Sequence, residues 1–481
     1  MHIVVIGGSA AGLSAALVLA RSGHVVTVVE RDHLEPAPDV ETAAAAALRA
    51  TAPQILQPHV LLATFRRLLR ERLPDVYGGL LDAGVADAPL DTQMPPTLTD
   101  RAPAPGDEWL RPLMSRRATV DWVLARAAAA EPGVRLRYGT AVIGLIAEPG
   151  DPPRVRGVRT GDGEIAGDLV VVAGGRRAPV DRWLAEIGAR PAASSVAECG
   201  LAYFGRQYRL RPGPHPGPAT TRVVAGLDEF TVGIWAGDND TMQLAIAPLA
   251  ADRRFRTARR AEAFTAVLDT IPFYASWLEV LEPITDVAVM GGLHNTLRRL
   301  VVAGHPVALG LLAVGDAVAT TNPTFGRGLS LMLRTVADLA DALEAHPDDP
   351  WARARAMDAA VTESVAPWYA DQAATDSARL AMLRHNVFGA PLPPAPPPAQ
   401  EVVTFAELRA AAQTDPVAFR GVLRTMGAVG RPADIYRDRD LVARVRTALA
   451  DGAPPPMPQP TREQLETALS TPAGQARPVA C

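Results

Sequence analysis

Two glycine-rich segments, far apart in the chain, carry the residue types that hold a phosphorylated cofactor. The first runs from Val4 to Ala16 and reads V-V-I-G-G-S-A-A-G-L-S-A-A. Its spacing is Gly7-x-Ser9-x-x-Gly12, with the small Ala16 four residues further on. Gly7 permits a tight turn from strand into helix, the small Ser9 lets a pyrophosphate approach the backbone, and Gly12 lets helix and strand pack closely. The turn and first helical residues, Gly7, Ser9, Ala10, Ala11 and Gly12, then present free N–H groups and the positive end of the helix dipole to an anion. Glu30, followed by Arg31, closes the next apolar run at the distance where a carboxylate accepts hydrogen bonds from a ribose diol. An acid at that position repels a 2′-phosphate, so the expected ligand is FAD or NAD and not NADP.

The second segment separates those two. Leu312 to Ser330 contains a buried apolar run, then Gly315-Asp316, then a loop with Pro323, Gly326 and Gly328, then a helix starting near Leu329. This order resembles the second FAD fingerprint of the para-hydroxybenzoate-hydroxylase-type flavoproteins. The resemblance implies that Asp316 binds the ribityl chain and that the N–H groups after Pro323 face the flavin pyrimidine edge. It extends to Arg49-Ala-Thr-Ala-Pro53-Gln54 with His59 five residues on, and to Ser115-Arg116, whose guanidinium meets the FAD diphosphate in that family. Gly139-Thr-Ala-Val142 resembles the strand whose backbone contacts the adenine, and Glu198 to Tyr203 with Arg206 resembles the start of the substrate-side sheet. His59 is thereby placed near the flavin, where an imidazole orients a substrate or shuttles a proton.

What this resemblance implies is a single-component FAD-dependent monooxygenase, a hydroxylase or epoxidase. It would act on an apolar aromatic or alkene small molecule, in the manner of actinobacterial tailoring enzymes and polyether epoxidases of secondary metabolism. Molecular oxygen is its co-substrate. Electrons come from NAD(P)H, directly or through a separate flavin reductase. Four positions depart from the pattern: Val172 stands where an acid precedes the family's Gly-Arg, Thr51 replaces a glycine, and Gln57-Pro58 replaces a more polar pair. Val172 bears on how nicotinamide reaches the flavin. A dehydrogenase, oxidase or ene-reductase on the same scaffold is the alternative reading, and a flavin-binding protein without turnover is a further one. A halogenase of the tryptophan type is disfavoured, because that type needs a lysine and a Trp-x-Trp-x-Ile-Pro segment, and this chain has neither.

The elements that must position these residues are legible as patterns. The fold class expected is α/β, a Rossmann-type FAD-binding domain with an inserted, mostly antiparallel β-sheet substrate domain and a C-terminal helical segment. Apolar runs at His2 to Ile6, Val25 to Val29, Asp168 to Ala173 and Leu309 to Val314 read as buried strands. Helical spacing covers Ala10 to Ser22, Val60 to Arg72, Thr119 to Ala130 and Leu329 to Ala345. Residues 201 to 249 alternate apolar and polar positions between Gly and Pro turns, as half-buried antiparallel strands do. Residues 1–190 and 285–345 are thus assigned to the cofactor domain, 191–284 to the sheet domain, and 346–481 to a helical region with a proline-rich linker at 391–398. Tyr203, Arg206, Phe230 and Trp235 fall on the sheet as candidate substrate-pocket residues. Asp238-Asn239-Asp240 reads as a hairpin turn, and His294 and His385 as structural.

The composition agrees with a soluble enzyme. Hydrophobic residues make up 48% and charged residues 21% of 481 residues, with a net charge of −4. That charge gives no reason to expect nucleic acid or an anionic membrane as a partner. All 48 basic residues other than histidine are arginine. The two cysteines, Cys199 and Cys481, form no metal-ligand or CxxC spacing, so neither a metal site nor a disulfide framework is expected. Without a signal-peptide pattern or a charge-free span of membrane length, a cytoplasmic location is expected.

Overall fold

The computed structural model describes residues 1–481 apart from 48, 50, 395–400, 453–455, 473 and 475–481. Half of the proline-rich linker, 395–398, and Cys481 therefore lie outside the described residues. The strand His2–Ile6 (β1) and the strand Val25–Val29 (β2) are almost wholly apolar and β-branched. Such runs suit a strand covered on both faces, because branched side chains lose little freedom there and no polar group is stranded. Between them, the helix Ala10–Arg21 (α1) offers mainly Ala, Gly and Leu, so it approaches the sheet closely. The helix Arg117–Ala130 (α2) leads into Val134–Arg137 (β3), and Leu169–Val172 (β4) and Leu311–Ala313 (β5) follow far along the chain. All five strands are parallel, in the order β5-β4-β1-β2-β3. The helix Gly328–Ala345 (α3) then packs on α1 with its apolar stripe.

The register fixes the site before any side chain is considered. Ile6 pairs with Val29 and with Val172, and Val172 pairs with Ala313. The strands therefore end together, and Gly7, Glu30, Gly174 and Gly315 emerge at one edge. Ligands bind at this carboxyl edge in open parallel sheets. The Rossmann unit and its four apolar strands are where the sequence pattern puts them, within two residues at each end.

The second lobe is an antiparallel sheet in the order Arg222–Gly226, Phe230–Ala236, Thr241–Pro248, Tyr203–Leu210, Leu281–Pro283, with Ala288–Met290 also pairing to Tyr203–Leu210. Alternation divides its side chains between two faces. Phe204, Tyr208, Phe230, Val232, Ile234 and Leu244 face the helices Ala261–Asp269 and Pro272–Leu278 in one apolar cluster. The opposite face looks toward the cofactor lobe. Asn239 and Asp240 adopt positive φ, so the Asp-Asn-Asp run is a tight turn between strands, as expected.

The C-terminal region is helical, as expected, but its main element was not legible. Ala366–Phe388 (α4) is one helix of 23 residues. Its buried face includes Gln372 and Asp376 as well as Trp368 and Leu380. That mixture erases the apolar period from which helices are read. The helices Phe405–Ala411, Pro416–Met426 and Arg439–Ala450 then pack with Leu90, Met94, Leu98, Leu331 and Trp368 as a cap over the loop that precedes α3.

Arg327 ties the cap to that loop. It is completely buried and pairs with Asp371 of α4 at 2.7 Å. Its guanidinium lies over the Phe325 ring at 4.3 Å and the Trp368 ring at 4.6 Å, and Nε donates to Thr425 O at 3.0 Å. Breaking one side of such a buried pair leaves an uncompensated charge, at a cost of about 3–5 kcal/mol. Asp371→Ala is therefore expected to lower the urea unfolding free energy by about that amount, whereas Glu363→Ala, which removes the exposed partner of Arg431, should cost less than about 1 kcal/mol.

Candidate functional site

The first glycine turn is shaped by close approach. Gly7 has φ +113, and a Cβ there would meet Ala173 O at 2.8 Å. A Cβ at Gly12 would overlap Gly7 O. No side chain of any size fits either position, so the backbone of the turn stays open to a ligand at the N-terminus of α1. Ser9, the residue before α1, makes no side-chain cap to the helix, which leaves the first-turn N–H groups available. Glu30 Oε2 accepts from Gly8 N at 2.6 Å and Oε1 from Asp32 N at 2.9 Å. Arg49 lies 3.4 Å from Glu30 and donates from Nε to Asp32 at 2.7 Å, and Thr51 also donates to Asp32. Arg31 is exposed. Gly139 N donates to Asp32 O, and Thr140 N donates to Glu30 O, so this loop lies against Glu30; Val142 begins the adjacent strand Val142–Glu148.

The second segment comes to the same place. Gly315 has φ +62, and a Cβ there would meet Ala11 of α1 at 3.0 Å and Met332 of α3 at 3.1 Å. Asp316 is thus held beside the first turn of α1. Its carboxylate receives no hydrogen bond from any described residue. Burial pushes its pKa above the usual carboxylate range, while Arg117 and Arg176 oppose the shift. A carboxylate in this state needs donors, and the hydroxyls of a ribityl chain are suitable ones. Pro323–Phe325 forms a single turn, and Gly326 (φ +72) leads through Arg327 into α3 at Gly328 and Leu329. Asn322, just before it, accepts from the Tyr203 hydroxyl, and its own N–H donates to Asn295 Oδ1 at 2.7 Å. Asn295 in turn donates to Asp376 of α4 at 2.8 Å, and Gln372 donates to both Thr324 and Asp376. A buried polar network therefore backs the loop from Asn322 to Gly328.

The two neighbouring arginines at the start of α2 have different destinations. Arg116, expected at the diphosphate, is 1% exposed and closed onto other partners: its Nη2 lies 2.9 Å from Asp238 and 2.6 Å from Glu41. Thr119 Oγ1 donates to the same Asp238 at 2.5 Å. The arrangement joins the sheet hairpin to α2. Arg117 instead donates to Ser9 Oγ at 3.1 Å and to Asp121 at 3.1 Å, and its charge acts on Asp316 and His59. Sequence reasoning passed over Arg117. The available signal was helical: Arg117, Val120, Asp121 and Leu124 share the face of α2 that meets α1.

His59 lies between the lobes. Its backbone N–H donates to Gln243 Oε1 at 3.2 Å, Gln243 Nε2 donates to His59 O at 3.1 Å, and Nδ1 sits 2.8 Å from Gln57 O. A carbonyl only accepts, so Nδ1 carries the proton and Nε2 keeps its lone pair. Burial, with help from Arg117, pushes its pKa down to about 4. Of the four sheet candidates, Tyr203 and Trp235 point toward the cofactor lobe, and Tyr203 is engaged by Asn322. Arg206 and Phe230 point the other way. Arg206 donates to Thr285 O at 2.8 Å and lies over Tyr208, and Phe230 packs 5.4 Å from Phe255 under the helices. The alternation of the strands, with Arg206 between Gly205 and Gln207, sends them there. Among the described residues no cluster of His, Cys, Asp and Glu could hold a metal. No helix among them is long and apolar enough to cross a membrane.

Residues 2–52 match the family model described as pyridine nucleotide-disulphide oxidoreductase. Over 448 residues the chain is 29% identical to Protein Rv3254 of Mycobacterium tuberculosis, covering 88% of each. The solved flavin-dependent brominase Bmp2 superposes with a TM-score of 0.62 at 16% identity, over 94% of this chain and 99% of that one. PqsL of Pseudomonas aeruginosa, described as a probable FAD-dependent monooxygenase, superposes with a TM-score of 0.57 at 14% identity, over 80% of this chain and 98% of that one. The fold is that of FAD-dependent oxidoreductases.

The His59 shift has a sign. An unfolded histidine titrates near 6.5 and the folded one near 4, so between these values the unfolded state binds more protons. Its contribution to stability is intact above about pH 6.5 and falls as pH drops toward 4. His59→Gln should flatten the stability profile between pH 6.5 and 4 in urea titrations. The His59 imidazole resonances should show no titration step between pH 6 and 8.

Proposed function

We propose that this chain is an FAD-dependent monooxygenase that places one oxygen atom on an apolar aromatic or alkene small molecule. The observation that carries the cofactor assignment is Asp316, a carboxylate without protein donors, held beside an open helix N-terminus and near Arg117 and Arg176. Neutralising residues, cleared backbone and a donor-seeking acid meet at one edge, and each suits a different part of FAD. The N–H groups of α1 and the Arg117 guanidinium would hold the diphosphate, Arg117 being always charged and forked to match phosphate oxygens. Glu30 would hold the adenosine ribose, and Asp316 the ribityl hydroxyls. When bound there, FAD supplies the redox chemistry, taking electrons from a nicotinamide donor and delivering them to oxygen.

The protein's own contribution is placement and dryness. The loop from Asn322 to Gly328 is braced by Tyr203, Asn295, Gln372 and Arg327 and presents its backbone to the cofactor without reorganisation. The sheet face and the helical cap close over this loop and exclude water. His59, neutral at working pH, offers Nε2 as an acceptor for a substrate hydroxyl. The fold shared with an enzyme described as a probable monooxygenase and with one described as a brominase supports oxygen chemistry as the first reading.

One observation favours a second reading, a dehydrogenase, oxidase or ene-reductase. Val172 is fully buried within β4, so the acid associated with nicotinamide access in the resembled family is absent. Electron delivery by a separate reductase reconciles Val172 with the first reading. The test is anaerobic reduction of the FAD-loaded protein by NADH, NADPH or enzymatically reduced FAD, followed by oxygen and product mass analysis. A product gaining one oxygen atom supports the monooxygenase. A change of two hydrogens alone establishes the second reading, and failure to take up FAD overturns both. Arg117→Ala should raise the Kd for FAD about tenfold or more, the scale of one charge-assisted phosphate contact. Arg116→Ala should chiefly lower the melting temperature.

A further inference from the structure

One stretch of the antiparallel lobe repeats every three residues. The segment from Asp252 to Arg260 reads D-R-R-F-R-T-A-R-R and contains the 3-10 helix Arg253–Arg259. Asp252, Phe255 and Ala258 are buried, and Arg254, Thr257 and Arg260 are half-buried. Arg253, Arg256 and Arg259 are exposed. A 3-10 helix has three residues per turn, so side chains three apart stand over one another. An α-helix would fan the same three arginines over about 120°. The segment is therefore a three-sided rod. One side is a row of three arginines whose Cα atoms rise by about 6 Å from one to the next.

The other two sides hold the rod in place. Phe255 packs 5.4 Å from Phe230, and Ala258 joins the same apolar cluster. Asp252 accepts from Arg254 N at 3.1 Å. The Arg254 guanidinium pairs with Asp252 at 2.6 Å and with Glu229 at 2.5 Å, and Arg260 donates to Thr471 O at 2.9 Å. The third side is uncommitted: Arg253, Arg256 and Arg259 make no ion pair and no side-chain hydrogen bond with a described residue. Like charges aligned in this way repel one another, and 3-10 runs of such length are uncommon. Core packing asks nothing of these three side chains. A row of opposite charge from outside would relieve the repulsion and meet a surface already fixed in shape.

The row also limits what can meet it. Its exposed side has no aromatic ring on which the bases of a single-stranded nucleic acid could stack. The apolar residues of the rod, Phe255 and Ala258, are turned inward, so nothing is left to insert into a lipid surface. A guanidinium forks onto a carboxylate in two parallel hydrogen bonds. Carboxylates four residues apart on an α-helix recur about every 6 Å, the spacing of the row.

We propose that Arg253, Arg256 and Arg259 form a docking ridge for a protein partner that presents a row of carboxylates on one helix face. The rod packs in the cluster on the side of the antiparallel sheet that is turned away from the cofactor lobe. A partner held there leaves the carboxyl edge of the parallel sheet open.

The test uses the full chain with FAD added and a labelled, alanine-rich helical peptide carrying three Glu residues, each four positions from the next. An isomer of the same composition has its Glu residues spread around the helix. Binding is read by fluorescence anisotropy at low salt. The aligned peptide is expected to bind about fivefold or more tightly than the isomer, the scale of three exposed ion pairs, and to release at high salt. That preference should vanish when Arg253, Arg256 and Arg259 are all changed to Gln, and should persist in part when all three are changed to Lys. It should be unaffected when three exposed arginines elsewhere, Arg355, Arg437 and Arg439, are changed to Gln. The ridge variants should melt within a degree or two of the parent, as exposed substitutions do. Equal binding of the two peptides, or a preference that survives the Gln ridge variant or is lost in the distant one, overturns the proposal. So does tighter binding of a single-stranded thymidine oligonucleotide or of phosphatidylglycerol vesicles than of the aligned peptide. A ridge variant that melts many degrees lower assigns the row to folding and overturns it too.

Discussion

Three stretches of backbone converge at the carboxyl edge of the parallel sheet with no room for side chains between them. Gly7 lies against Ala173, Gly12 against Gly7 O, and Gly315 against Ala11 and Met332. Everything else at the site depends on this close approach. It brings the end of β5 to the first turn of α1, joins segments some three hundred residues apart in sequence, and sets Asp316 next to unsatisfied helix N–H groups. A single methyl group at Gly12 would push helix and turn apart and with them the surface that would cradle a diphosphate. The Val-rich strands provide the rigidity against which this fit is held.

Charge is distributed around that edge by commitment. With arginine as the sole long cation, the chain meets quite different tasks with one side chain, and partners decide which task each performs. Arg116 and Arg117 are adjacent, yet Arg116 is spent on Asp238 and Glu41, where it fastens the sheet hairpin to α2, while Arg117 remains at the helix N-terminus beside Ser9. Arg327 is enclosed by Phe325, Trp368 and Asp371 and pins the loop that precedes α3 beneath the cap. Guanidinia matched by carboxylates, as Arg116 and Arg327 are, act as structural mortar.

The antiparallel sheet applies the same division by geometry. Its period of two sends Phe204, Tyr208 and Phe230 into a conventional core under helices, and leaves Gly205, Gly233, Ala245 and Gln243, with Tyr203 and Trp235, on the face toward the cofactor lobe. The network from Tyr203 through Asn322 and Asn295 to Asp376 then fixes that face to the loop and to α4. A directional polar network specifies one arrangement where an apolar contact would tolerate several.

The sequence by itself determined the cofactor lobe. Its signals are local: β-branched runs, glycines at fixed offsets, an acid at the end of β2, a Gly-Asp before a proline loop. Each follows from backbone sterics within a few residues, so one sequence suffices to read it. The same local rules marked the alternating strands and the turn at Asp238 to Asp240. Only the tertiary structure decided which of two consecutive arginines turns to Asp238 and which to Ser9, because that depends on a hairpin more than a hundred residues away. It alone showed that Arg206 and Phe230 face away from the site, since strand alternation gives two faces and the neighbouring lobe selects between them. It also revealed α4, whose buried face is part polar and so lacks the apolar period. Long-range partners, not residue type, assign those roles, and a sequence does not write its partners down.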